Sequence, residues 1–282
     1  MNTVTDRLVD AAQDARQLVY RTRGRGHGGI TRLVSPGDAG QLIKPFVFLD
    51  LFDIEPGAIR MNMHPHSGIA TVTVVLDGAV EYLETNGHQG VLPAGGVEWM
   101  NAGGGVWHGG GIVGDQTARG FQLWLALPPE DENAPSHSRY LEPGEVQQAG
   151  PARVIIGSHE GATSAIATRA PINYLSVALQ DGERWSYTPP AGHDVAWVAV
   201  ADGILETAGQ QLAREVAIFA DGEGRLDFQA RGATRFVLGS APRHPHPLVT
   251  GYYSVHTSRA ALDKGEAEIA RMGAALRAAG VL

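Results

Sequence analysis

His64-Pro65-His66 is the part of this chain best equipped to do chemistry. It leads into Ile69-Ala70-Thr71-Val72-Thr73-Val74-Val75-Leu76, a β-branched run that predicts a strand. Side chains at i and i+2 of an extended segment share one face, so the two imidazoles would project together. Pro65 fixes its own φ and pushes His64 toward extended geometry. A third imidazole, His108, follows a glycine bend at Gly103-Gly104-Gly105 and the short strand Val106-Trp107-His108. Three converging neutral imidazoles form a standard donor set for a divalent transition metal, which makes His64, His66 and His108 the candidate ligands.

The elements that must position them are short strands between glycine turns. Phe46-Val47-Phe48-Leu49-Asp50-Leu51-Phe52, Ala79-Val80-Glu81-Tyr82-Leu83, Val97-Glu98-Trp99-Met100 and Phe121-Gln122-Leu123-Trp124-Leu125-Ala126-Leu127 join the run from Ile69 to Leu76. Asp77-Gly78 reads as a hairpin turn between two of them. Many short strands in succession predict an antiparallel sandwich or barrel. After the proline-rich stretch from Pro128 to Pro135, a second β-rich region follows, in which Ala201-Asp202-Gly203 takes the place of Leu76-Asp77-Gly78, as in a weak internal repeat. The expected fold class is all-β: two tandem β-barrels, a C-terminal helix capped by Thr257 or Ser258, and a short N-terminal helical extension. The expected boundaries are an extension over 1–20, a first barrel over 21–130, a linker over 131–150 and a second barrel with the terminal helix over 151–282.

Composition narrows the function classes. The 282 residues are 43% hydrophobic and 18% charged, enough for packed cores. A net charge of −8 disfavours direct binding to a phosphate backbone. The absence of cysteine excludes disulfides, thiolate metal sites and a cysteine nucleophile, while 11 histidines supply nitrogen ligands. The N-terminus lacks the apolar core of a signal peptide and no long apolar run occurs, so a cytoplasmic protein without a membrane span is expected.

Other polar features weigh less. Gly24-Arg25-Gly26-His27-Gly28-Gly29 spells a dinucleotide fingerprint, but a helix-like segment precedes it and a strand follows, so it reads as a flexible loop. His244-Pro245-His246 repeats the spelling of the first pair amid prolines and without a third histidine, which reads as loop, and the second barrel is expected to be metal-free. Glu81 and Glu98 read as solvent-facing. Met61, Met63, Trp99 and Trp107 are candidate apolar neighbours of the metal site.

The motifs resemble the pirin family of bicupins, two cupin barrels in tandem. Pro45-Phe46-Val47-Phe48-Leu49-Asp50-Leu51-Phe52 is similar to that family's N-terminal signature. His64-Pro65-His66-Ser67-Gly68 and the strand after it resemble its first cupin motif, and Pro93-Ala94-Gly95 through His108 its second. The resemblance is dense over about 20–130 and looser over 150–282. It implies jelly-roll-like barrels and an Fe(II)-type centre of three histidines and one glutamate, with zinc, nickel, manganese and copper left open. The implied glutamate position is Gly110, and a second glutamate usual in the first motif is Ala70 here. Without a carboxylate, a divalent ion on three imidazoles keeps its full double charge, is more Lewis-acidic and is held less tightly. The resemblance implies a quercetinase-like dioxygenase acting on a flavonol-like or other small aromatic substrate. The alternative is a regulatory protein with a degenerate metal site that binds a protein partner. The expected assembly is a monomer or weak homo-oligomer.

Overall fold

The computed structural model describes residues 16–282 apart from Ile59. These form two compact units: Gly24–Val146 with His244–Leu282, and Gln147–Arg243 with the described residues up to Arg23. The first described strand, β1 (Leu18–Thr22), belongs to the second unit. Next come β2 (Arg25–His27), β3 (Ile30–Val34), β4 (Phe46–Ile54), β5 (Arg60–His66), β6 (Ile69–Asp77) and β7 (Ala79–Glu84). β8 (Gln89–Pro93), β9 (Val97–Asn101), β10 (Val106–Ile112), β11 (Ala118–Ala126) and β12 (His137–Leu141) complete this run.

β2–β12 make two antiparallel sheets, in the orders β12-β9-β6-β11-β4-β3-β2 and β5-β10-β7-β8. They are the walls of one barrel, because side chains from both line a common cavity. The near-continuous apolar runs of β4, β6, β9 and β11 are buried along almost their whole length. Each fully buried Phe46, Leu49 or Phe121 side chain stabilises the fold by roughly 1.5–3 kcal/mol.

The second unit is one nine-stranded sheet. Its strands are β13 (Gln148–Ala149), β14 (Ala152–Ile156), then β15 (Ser158–His159) and β16 (Ala162–Thr163) as a separate small hairpin, and β17 (Asn173–Leu179). β18 (Arg184–Tyr187), β19 (Val195–Thr207), β20 (Gln210–Leu212), β21 (Val216–Phe219) and β22 (Leu226–Ala241) follow. Its core is filled by side chains including Leu175, Trp185, Phe219, Phe228 and Phe236. The chain then returns to the first unit with β23 (Val249–Thr250), β24 (Val255–His256) and helix α1 (Arg259–Ala278).

Several expectations are corrected. Leu18–Tyr20, expected to end an N-terminal helix, lie in β1, which pairs with β21; the rest of that predicted helix falls largely outside the described residues. The burial pattern along β1 alternates, the period of a half-buried strand, and the helical spacing of apolar residues does not extend through it. The expected linker 131–150 contains β12, which completes the larger wall of the first barrel by pairing with β9. The terminal helix, assigned to the second barrel, belongs to the first unit. Trp107 Nε1 in β10 donates to Ile269 O at 2.9 Å, and Gly273 lets the helix approach the Trp107 ring, which a Cβ there would meet at 2.6 Å.

Asp77-Gly78 is not a hairpin: β6 pairs with β9 and β11, whereas β7 pairs with β8 and β10. The chain turns a corner there from one wall to the other, with Gly78 at φ +70°. In the second unit β19 runs unbroken through Gly203, φ +72°, with register shifts on either side of Asp202. The same bend thus recurs in both barrels. Gly24–Gly29 is no flexible loop either; most of it builds the β2–β3 hairpin.

Candidate metal centre

β5 and β10 pair so that His108 lies opposite His64 and Val106 opposite His66. The strand period then brings all three imidazoles to one face, with ring centroids 4.3 Å (His64–His108), 4.9 Å (His66–His108) and 5.0 Å (His64–His66) apart. One nitrogen from each lies within 4.8 Å of the others. His64 Nδ1 donates to Asn62 O and His66 Nδ1 to Tyr253 O, each at 2.9 Å. A carbonyl only accepts, so both Nδ1 atoms carry the proton and both Nε2 atoms present lone pairs. His108 Nε2 is buried with no hydrogen-bond partner. Such an orphan costs about 1–3 kcal/mol unless something binds it.

Burial keeps these rings neutral. It pushes His66 down to about 3, helped by the neighbouring His64 and opposed by the Tyr253 carbonyl. It lowers His108 well below the ordinary range, helped by the other two rings, and lowers His64 against the Asn62 carbonyl. Neutral imidazole is the form that ligates a metal. Donor type, convergence and the orphaned Nε2 all fit a divalent transition ion.

A cavity of about 110 Å³ opens beside His64 and His108. The larger wall carries a row of polar residues in register, of which Asp50, Gln122, Thr73, Glu98 and Tyr140 line the cavity. Arg32 is opposite Asp50, Asp50 opposite Gln122, Gln122 opposite Thr73, Thr73 opposite Glu98 and Glu98 opposite Tyr140. Arg32 pairs with Asp50 and sits 3.9 Å over the Phe48 ring. The Thr73 hydroxyl donates to Glu98 Oε2. Glu98 Oε1 has no hydrogen-bond partner and lies 3.9 Å from His108 Nδ1. Burial pushes the Glu98 carboxyl up to about 7, against the Thr73 hydroxyl and with the Glu84 carboxylate.

Glu98 therefore corrects the solvent-facing expectation: it is 7% exposed and faces the cavity, whereas Glu81 is exposed. The signal was in the sequence. Asp50, Thr73, Gln122 and Glu98 are each a polar interruption of an apolar run, and each faces inward. Of the four apolar neighbours expected at the site, Met61 alone lines this cavity. Met63 lines a separate groove, Trp107 meets the helix, and Trp99 follows Glu98 and so faces the other side of its strand. At Gly110 a Cβ would lie 2.1 Å from Glu81 O, so the backbone of β7 occupies the space a side chain would need.

Comparison with known proteins agrees with this geometry. A family model described as Pirin matches residues 29–125. A Pseudomonas aeruginosa protein whose name proposes quercetin 2,3-dioxygenase activity is 32% identical, over 78% of this chain and 82% of its own. The chain belongs to the pirin family. A pirin-like protein of Caulobacter vibrioides is 28% identical over 94% of this chain and 95% of its own. Among solved structures, a quercetin 2,3-dioxygenase from Acinetobacter baumannii matches with a TM-score of 0.82 at 24% identity, covering 91% of this chain and 97% of that one. A bacterial pirin from Escherichia coli, in complex with nickel(II), matches with a TM-score of 0.64 at 19% identity, covering 81% and 98%. The fold of this pirin is thus all-β, with two cupin barrels in tandem.

Proposed function

We propose that this pirin-family chain binds one divalent transition metal through His64, His66 and His108 and acts on a small aromatic substrate as a quercetinase-like dioxygenase. The observation that carries the reading is the donor set: two imidazoles whose Nδ1 atoms are fixed by carbonyls, and a third whose buried Nε2 has no partner. The names of the Pseudomonas aeruginosa and Acinetobacter baumannii proteins support the reaction class, and the nickel(II) of the Escherichia coli pirin supports a divalent metal. The family resemblance favours Fe(II). A metal held there would supply Lewis acidity and, if redox-active, one-electron chemistry toward dioxygen. The protein's part is to orient the rings through Asn62 O and Tyr253 O, to exclude water with the apolar cavity wall, and to present the Glu98 carboxyl to a substrate.

The test is metal content after purification without chelator, for wild type beside His64→Ala and His108→Ala. The expected result is close to one metal per wild-type chain and loss in both variants. Equal metal in all three would sink the assignment. Oxygen uptake by metal-loaded protein across a phenolic panel then tests the reaction, and its absence throughout would refute the dioxygenase reading.

A further inference from the structure

Next to His66 in the chain, Ser67 enters a buried run of hydrogen bonds whose proton directions are fixed by chemistry. Ser254 Oγ donates to Tyr252 O at 3.0 Å, because a carbonyl only accepts. A hydroxyl carries one proton, so Ser67 Oγ is the donor in its 2.9 Å bond to Ser254 Oγ. The 3.0 Å contact between Ser67 Oγ and His256 Nε2 then has its donor on the imidazole. On the other side of the ring, Nδ1 is 3.3 Å from Glu132 Oε2, and both oxygens of Glu132 already accept from Thr257. A bare lone pair facing that carboxylate would be repelled, so Nδ1 carries a proton as well. With both nitrogens protonated, His256 is an imidazolium paired with Glu132.

The run ends on the peptide that aims the Tyr253 carbonyl. Tyr252 O and Tyr253 N belong to one planar group. Tyr253 stands in the left-handed region at φ +54°, which is costly for a tyrosine and persists only where its surroundings hold it. One hold is the bond from Ser254 Oγ to Tyr252 O; another is that from Tyr252 N to Glu266 Oε1 at 2.8 Å. Tyr253 O in turn accepts from His66 Nδ1. The backbone of α1 closes over the run: a Cβ at Gly265 would meet His256 Nε2 and Ser67 Oγ, each at 2.6 Å. The charged groups that bear on His256 are Glu132, from the segment between β11 and β12, and Glu266, from α1.

We propose that His256 is a proton-controlled latch on the hairpin of β23 and β24, holding the peptide between Tyr252 and Tyr253 through Ser67 and Ser254. When Nε2 gives up its proton to solvent, Ser67 turns its own proton to Nε2 and Ser254 turns its proton to Ser67. Tyr252 O is then left to water. Burial pushes His256 below its ordinary range, against Glu132 and Glu266, so the latch fastens on acidification and slackens toward neutral pH. Metal binding by imidazoles has the opposite sign, since protons compete for the ligands. Only an effect on metal rests on the reading of the three histidines as a metal centre.

Ring-nitrogen NMR shifts of His256 in the metal-free full chain, from about pH 4.5 to about pH 8, test the latch. Both nitrogens protonated at the acid end and Nδ1 alone at the other is the expected result. The Gly251 and Tyr252 amides bond to Ser254 O and Glu266 Oε1, and report on the hairpin by hydrogen exchange. Relative to intrinsic exchange, they lose about two- to tenfold of their protection over the same titration, as one hydrogen bond is given up. Ser254→Ala, which lacks the last donor, shows the lower protection at every pH. Nickel(II) binds that variant about two- to tenfold more weakly than wild type at the acid end and equally at the other. One protonation state of His256 throughout, hairpin protection that ignores its titration, or pH-dependent protection surviving in Ser254→Ala would overturn the latch. Equal nickel(II) affinity at the acid end would overturn its coupling to His66. If neither protein binds nickel(II) while the NMR and exchange results hold, the metal reading fails and the latch stands.

Discussion

At the scale of single residues, two buried groups pull the pH dependence of stability in opposite directions. His66 titrates near 3 when folded, against an ordinary 6.5. Between those values the unfolded chain binds more protons, so stability is lost as pH falls through that window. Glu98 titrates near 7 when folded, against an ordinary 4.5, so between those values the folded state binds more protons and stability falls as pH rises. Glu98→Gln removes the second effect. In metal-free protein this variant should therefore be more stable than wild type at pH 8, by on the order of 2 kcal/mol, with the gap closing toward pH 5. Thermal melts across that range check it, and a gap that widens toward low pH would contradict the buried position of Glu98. Gly110 gives a second residue-scale prediction. Because a Cβ there meets Glu81 O at 2.1 Å, Gly110→Glu should not rebuild a carboxylate ligand. It should cost about 1–3 kcal/mol or more in urea unfolding, with no gain in metal affinity.

At the scale of elements, β5 and β10 carry the candidate ligands, and α1 supports β10. Ser258 caps the helix by accepting from Ala261 N at 3.2 Å. Leu262, Gly265, Ile269 and Gly273 are its buried residues, on one stripe. Gly273→Leu would drive a side chain into the Trp107 ring and push the helix off the strand that holds His108. The expected outcome is a loss of a few kcal/mol of stability, about 1–3 kcal/mol, together with weaker metal binding, read by denaturation and metal titration. Ser67, His256 and Glu132 have the residue types of a nucleophile, base and acid. Ser67 Oγ is 3.0 Å from His256 Nε2, and His256 Nδ1 is 3.3 Å from Glu132 Oε2. Exposures of 0%, 1% and 3% shut them off from any substrate. With Glu132 also accepting from Thr257 N and Oγ1, the set tethers the C-terminal segment to the strand that carries His66.

At the scale of the whole molecule, the barrel that carries the histidine triad is built from two separated stretches of chain. The second stretch supplies Tyr253 O to His66, β24 beside Ser67, and α1 behind Trp107. A fragment of residues 24–146 contains all three candidate ligands and still should not hold metal as the full chain does. Metal titration of the fragment beside the full chain checks this; equal affinity would show that the C-terminal segment is dispensable for the site.

Much of this was legible in the sequence because it is local. The i, i+2 phase of His64 and His66, the β-branched strands, the glycine turns and the return of His108 after a glycine bend depend on near neighbours, so the all-β class and the histidine triad could be read directly. The polar interruptions at Asp50, Thr73, Gln122 and Glu98 were equally visible one by one. Their alignment into a single row depends on the register of four strands, which no single strand encodes. The carbonyl of Tyr253 on His66, the pairing of β1 with β21 and the docking of α1 on β10 are contacts between residues far apart in the chain. Local pattern is silent on them, because backbone carbonyls carry no sequence signature and an amphipathic helix face does not name the strand it will cover. Residue type and spacing thus determined the fold class and the convergent histidine triad of this protein. Tertiary structure alone decided which carboxylate faces the histidines, since a strand fixes the alternation of its side chains but only packing of the two walls decides what each face meets.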